Sequence, residues 1–220
     1  MATHGIAGGP GVAAEHARAL AAEHPGCAVA VGCIRGEPSL EAALERLGAP
    51  AVVVPLLMAE GYILGLLLRR LRDRPGVTVT APVGTHPGIA ALIEAAGADA
   101  ARARRFDPAA CLLLLVGHGT PRHPASARAA EDQARRVRAR GGFAEVATAF
   151  LEEPPHLPEL LVERAGRPVV AVGLFVDAGP HGRGDVLAAI ARAPGPVAYA
   201  GPLGPLVGIQ RLVAARAGLG

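Results

Sequence analysis

Lysine and tryptophan are both absent from this chain of 220 residues, and aromatic residues make up only 3%. All 22 basic side chains are therefore arginine, and the formal net charge is only +3. So small a charge, with so few stacking rings, argues against a nucleic-acid-binding module, though it suits a protein that receives a small polyanion. With no tryptophan, the hydrophobic 51% must build its cores mainly from alanine, valine and leucine. The three cysteines, Cys27, Cys33 and Cys111, show no Cys-x-x-Cys spacing. An odd count with no secretory leader leads us to expect reduced thiols and a cytoplasmic protein. Apolar runs such as 51–59 are too short to span a bilayer, so no membrane association is expected. No Walker sequence occurs, and the Gly-rich stretch 5–11 is not a dinucleotide fingerprint, so no nucleotide is expected either.

What is present is a pattern that occurs twice. Residues 55–63 line up with 173–181, 81–84 with 201–204, and His4-Gly5 with His118-Gly119. The offsets are 118, 120 and 114 residues, so order is kept while loop lengths drift. A repeat of this length fits two domains rather than a solenoid. We expect an N-terminal lobe over 1–100 and a C-terminal lobe over 111–220, with the boundary in the charged stretch 98–110. Before His4 the first copy has only Met1-Ala2-Thr3, so its leading strand is expected to be very short or truncated.

Apolar runs at 28–31, 51–57, 77–80, 111–116, 145–151, 168–176 and 196–200 read as strands. Most lack polar alternation, as strands of a parallel sheet covered on both faces do. The run 77–80 alternates and suits an edge. Helices are expected at 11–23, 39–47, 64–72, 87–96, 125–140, 157–165, 184–191 and 206–216. Strand–helix alternation predicts an α/β fold of two tandem lobes, each a small, mainly parallel sheet flanked by helices.

In open α/β sheets, ligands bind beyond the carboxyl ends of strands. Three polar residues of the second copy fall there: His118 after 112–116, Glu152 after 145–151, and His181 after 168–176. Two imidazoles and a carboxylate form a borderline-soft site for Fe, Co, Ni or Zn. Their first-copy counterparts are His4, Arg35 and Ile63. A cation and a hydrocarbon replace two of the three, so a first-copy metal site is not expected. His16 and His24 read as surface helix residues, and His86 and His156 lie in Pro-containing turns.

These residues resemble a known family, the sirohydrochlorin chelatases, which are class II, ATP-independent enzymes of cobalamin and sirohaem biosynthesis. The matching motifs are Val116-Gly117-His118-Gly119-Thr120, then Ala149-Phe150-Leu151-Glu152, and 174–190 with its Gly-x-His and Asp185-Val186. Residues 55–61 and Gly36-Glu37-Pro38-Ser39-Leu40 echo the same family in the first copy. The resemblance implies two chelatase-like lobes and a tetrapyrrole substrate. It implies that His118 and His181 bind the metal, which is itself a substrate (Co2+ or Fe2+, with Ni2+ possible), and that Glu152 assists. The turn after Glu152 and the run Gly182-Arg183-Gly184 depart from the family pattern.

Sirohydrochlorin carries many carboxylates, so cations should meet it. Arg122 and His123, in the His118 loop, and Arg183, beside His181, are the candidate substrate contacts, the arginines by guanidinium–carboxylate pairing. A monomer and a homodimer both fit. A non-catalytic tetrapyrrole or metal carrier is the main alternative. Gly117-His118-Gly119 also resembles histidine phosphatases, but those carry an arginine directly before the histidine, where this chain has Gly117.

Overall fold

The computed structural model describes residues 1–5, 9–120 and 125–219; the side chains of residues 125, 126, 180, 181 and 183 also lie outside that description. The chain forms two compact units. One comprises Met1–His86 with Pro205–Gly220, and the other Pro87–Gly204. We call them the first and second lobes.

The second lobe is built on four parallel strands: β6 (Leu112–Gly117), β7 (Glu145–Phe150), β8 (Val169–Gly173) and β9 (Val197–Pro202), in the spatial order β7-β6-β8-β9. All residues of β6 and β8 are buried, which is why these two strands are continuous apolar runs: as central strands they are covered on both faces. Parallel pairing requires a crossover between strands. Helices α5 (Ala125–Arg138), α6 (Leu157–Glu163) and α7 (Val186–Ala191) supply it. Leu112, Leu114, Val116, Leu157, Leu161, Val169 and Ala171 form one core. Each fully buried leucine there contributes roughly 2 kcal/mol of burial free energy.

The first lobe repeats this order in shorter strands. β1 (Ala2–Thr3) lies between β2 (Gly32–Cys33) and β4 (Pro55–Leu56), while β3 (Ala51–Val53) pairs with β5 (Val77–Val79), all in parallel. The expected strand 51–57 is thus divided at Val54, whose carbonyl accepts from Ala2 N at 2.9 Å. Pro55, with no N–H to give a ladder, marks the change of partner. β5 has one neighbour, as its alternation implied. The expected strand 28–31 is displaced to Gly32–Cys33. The core joins Ala2, Ile34, Leu40, Leu44, Val53 and Leu67. Helices α1 (Val12–Glu23), α2 (Leu40–Leu47) and α3 (Tyr62–Leu71) belong to this lobe.

The lobe boundaries differ from 1–100 and 111–220. Helix α4 runs over Ile89–Ala103, well past the expected 96, and packs on α5, β8 and β9. It buries Ile89, Ala90, Ile93, Gly97 and Ala101 along one face. At Gly97 a Cβ would come within 2.8 Å of Leu113 Cδ1, so glycine permits the close approach. The charges that suggested a linker are partly the solvated face of this helix, where Asp99 pairs with Arg102. In turn the last helix, α8 (Gly208–Ala217), packs on α1 in the first lobe. His16 is another correction: it is only 4% exposed, on the face of α1 that also buries Ala13 and Leu20.

The duplication extends to single hydrogen bonds. Arg35 N donates to His4 O at 2.9 Å, and Glu152 N to His118 O at 3.0 Å. Cys33 N donates to Pro38 O, and Phe150 N to Pro155 O. Gly84 N donates to Leu57 O, and Gly204 N to Phe175 O. These pairs fix the residue correspondence between the lobes independently of sequence matching.

Candidate metal site

His118 leaves the end of β6, and Glu152 lies two residues beyond β7, the neighbouring strand. The ladder ends at the Gly117–Phe150 pair, so both side chains emerge at the carboxyl edge of the sheet. Gly119 has a φ of 73°, in the left-handed region, and a Cβ there would sit 2.7 Å from Phe150 Cβ and 2.8 Å from Glu153 Cγ. Glycine is required on both counts.

The ring of His118 is oriented through its own loop. Nδ1 lies 2.8 Å from Gly119 O. A carbonyl only accepts, so Nδ1 carries the proton and the ring lone pair belongs to Nε2. Nε2 lies 3.6 Å from Glu152 Oε1. A carbonyl tied to one ring nitrogen while the other points at a ligand is the usual arrangement of a metal-binding histidine. Both side chains are open to solvent, at 40% for His118 and 55% for Glu152. A bulky ligand could reach them.

Glu153 has a role that the sequence did not signal. Its Oε1 accepts from Thr120 N at 2.8 Å, so it ties the His118 loop to the turn after β7. The carboxylate neighbour of Glu152 therefore shapes the site from beneath.

The third expected ligand comes from the segment after β8. Leu174 N donates to Val116 O at 2.7 Å, continuing the sheet, and Pro180–Asp185 forms a π-helical turn that runs into α7. His181 is in that turn, but its side chain, like that of Arg183, lies outside the described residues. Arg122 and His123 lie outside them entirely. Among the described residues no group of three metal-ligating side chains comes together. The structure thus brings His118 and Glu152 together and gives no position for the His181 ring or the three substrate contacts.

Tyr199, the third residue of β9, was also missed. Its hydroxyl donates to Gly182 O at 2.5 Å, and burial pushes its pKa up to about 12, so it remains a donor across ordinary pH. One extra residue enters β9 between the Ala171–Tyr199 and Gly173–Pro202 pairs, with Gly201 at a φ of 85°. Such a bulge re-aims the strand end.

In the first lobe the same positions hold different chemistry. His4 is exposed and Arg35 occupies the place of Glu152. The neighbouring Arg70 donates to Ile34 O and stands 3.8 Å from Glu41. Two guanidinium groups near one strand end do not make a cation site.

This is a chelatase-like fold. Residues 112–218 match the family model CbiX. The chain is 31% identical over 178 residues to a probable sirohydrochlorin cobaltochelatase of Halobacterium salinarum, covering 68% of this chain and 60% of that protein. Two solved structures superpose over 98% of the chain at 26% identity. One is a multi-domain protein of Deinococcus radiodurans with structural similarity to chelatases (TM-score 0.80, 54% of its length). The other is CbiX, described as the terminal enzyme of siroheme biosynthesis in denitrifying bacteria (TM-score 0.76, 95% of its length). The chain thus spans only 54–60% of the Halobacterium and Deinococcus relatives. Its second half thus matches CbiX, and the chain as a whole resembles sirohydrochlorin chelatases in sequence and fold.

Proposed function

We propose that this protein inserts a divalent metal into sirohydrochlorin or a closely related tetrapyrrole without ATP. The metal is Co2+ or Fe2+, with Ni2+ a third candidate. The observation that carries this reading is the pairing of His118 Nε2 with Glu152 Oε1 at 3.6 Å, with Nδ1 turned back on Gly119 O. Two ligands each about 2.1 Å from one metal at a tetrahedral angle stand roughly 3.4 Å apart. An imidazole lone pair and a carboxylate at that spacing suit a shared divalent ion.

His181 is the third ligand in this reading, and the open positions face the incoming ring. Insertion exchanges two pyrrole N–H protons for M2+, so two protons must leave. Neutral imidazoles hold the ion without adding charge and can accept a proton as it departs. Glu152 holds charge and orientation. Arg122, His123 and Arg183 receive the substrate carboxylates. The protein acts in the cytoplasm as a monomer or homodimer, with neither nucleic acid nor membrane as a partner. The Halobacterium relative is named for cobalt and the solved CbiX for siroheme, which supports these two metals.

The test is absorbance-monitored insertion into sirohydrochlorin with Co2+, Fe2+ or Ni2+ in turn, without ATP. Acceleration over the spontaneous rate, lost in His118→Ala and His181→Ala, supports the reading. Tight ring binding with no acceleration would replace it with a carrier. Acceleration that survives both substitutions would remove the proposed site.

A further inference from the structure

The π-helical turn that carries His181 is held by a contact that has no counterpart in the first lobe. Tyr199 O–H donates to the carbonyl of Gly182, the residue directly after His181. The hydroxyl reaches it over Gly173: a Cβ on Gly173 would lie 2.7 Å from Tyr199 Oη and 2.8 Å from Phe175 Cδ2. Gly182 is hemmed in as well, since a Cβ there would lie 2.8 Å from Asp177 O. The turn is thus pinned between a tyrosine on the neighbouring strand and the chain that leads into it.

The internal duplication supplies the control. Val53 pairs with Val79 in the first lobe as Ala171 pairs with Tyr199 in the second, so Val79 stands where Tyr199 does. Ala2 pairs with Pro55 as Val116 pairs with Gly173, so Pro55 stands where Gly173 does. The sequence places Ile63 at His181. The lobe that lacks the second imidazole therefore also lacks the hydroxyl, and lacks the glycine that admits it. The backbone hydrogen bonds of Arg35 and Glu152 N, of Cys33 and Phe150 N, and of Gly84 and Gly204 N are kept in both lobes. A contact needed only to stabilise the fold would be expected in both.

We infer that Tyr199 is a positioning residue for the metal site, fixing the Gly182 carbonyl and thereby the turn from which His181 reaches the metal, with Gly173 as the gap that lets it do so. This rests on the reading of His181 as a metal ligand. Groups that orient a ligand without touching the metal commonly control affinity by about 10–100-fold.

The experiment is Co2+ binding to the full chain by titration of the visible Co(II) absorption, without tetrapyrrole, in wild type, Tyr199→Phe, Gly173→Ala, His181→Ala and the Tyr199→Phe/His181→Ala double variant. Far-UV circular dichroism and Tm are recorded for each. Tyr199→Phe keeps the ring and removes only the donor. It is expected to weaken Co2+ binding about tenfold and to shift the Co(II) band. Gly173→Ala, which keeps the hydroxyl but displaces it, should do the same. In the His181→Ala background, loss of the hydroxyl should have no further effect on affinity, because the two act through one ligand. If His181→Ala weakens binding while Tyr199→Phe matches wild type in affinity and spectrum, the Tyr199 role is overturned and the site stands. If the two substitutions weaken binding additively, Tyr199 acts elsewhere and the inference is likewise overturned. If His181→Ala leaves binding unchanged, the ligand assignment itself fails and this inference with it.

Discussion

At the carboxyl edge of the first lobe the backbone presents His4 beside Arg35; at the same edge of the second it presents His118 beside Glu152. The hydrogen bonds beneath the two pairs are the same, Arg35 N to His4 O at 2.9 Å and Glu152 N to His118 O at 3.0 Å. The scaffold that aims a side chain past a strand end is therefore separable from the chemistry mounted on it. The first lobe shows what the fold alone requires: a left-handed glycine after the histidine, and a glycine late in the unit whose N–H returns to the end of the third strand. The second shows what is added: a carboxylate, a second histidine, and a tyrosine over a glycine gap.

The largest effects should separate the lobes by function. His118→Ala is expected to lower Co2+ affinity by more than about 100-fold, beyond the usual effect of losing an orienting group, whereas His4→Ala should change it less than twofold. Isothermal titration of both variants checks this. Restoring the lost ligands with Arg35→Glu and Ile63→His in one chain should give a second Co2+ site only at least about tenfold weaker than the first, because Val79 and Pro55 still lack the supporting contact. A second site of equal affinity would show that the ligands suffice.

Scaffold substitutions should instead treat the lobes alike. A Cβ on Gly84 would lie 2.2 Å from Met58 O, and one on Gly204 1.7 Å from Val176 O. Gly84→Ala and Gly204→Ala should each cost about 1–3 kcal/mol of stability by overpacking against backbone, measured by urea unfolding. The helix that follows the second strand gives a smaller contrast. Ser39 caps α2 by accepting from Ala42 N at 3.1 Å, while its counterpart His156 makes no side-chain cap on α6. Ser39→Ala should cost about 1 kcal/mol and His156→Ala much less.

The smallest effect is a pH dependence confined to the second lobe. The hydrogen bond from Arg167, with the charges of Arg167, Arg164 and Arg138, holds the Glu145 carboxyl below its usual range. A lowered folded-state pKa gives stabilisation that is complete above the unfolded value, about 4.3, and is lost as pH falls through the folded value. The Tm difference between wild type and Glu145→Gln should therefore shrink on going from neutral pH to well below that range. The pair is about one-third exposed, so the gain stays under about 1 kcal/mol.

Much of the second lobe was legible because a strand buried on both faces has no choice of residue. The runs at β6, β7 and β8 announced themselves, and so did the positions of His118 and Glu152 at their ends. β2 was misplaced because Gly32-Cys33 carries no strand signal; its place is set by pairing with Ala2 and Thr3. The partners of α4 and α8 were not legible, since an amphipathic helix shows which face is buried and not against what. Glu153 and Tyr199 were missed for a related reason. Each acts through a hydrogen bond to backbone far away in sequence, Thr120 and Gly182, which leaves no local pattern. The one available hint for Tyr199 was its rarity, as one of two tyrosines in the chain.

Metal held by one lobe, on a scaffold both lobes share, is the arrangement proposed. It is tested most directly by the ATP-free rate of Co2+ insertion into sirohydrochlorin, measured side by side for His4→Ala and His118→Ala at matched protein concentration. A near wild-type rate is expected for His4→Ala and the spontaneous rate for His118→Ala. Equal loss in both, or loss in His4→Ala alone, would contradict it.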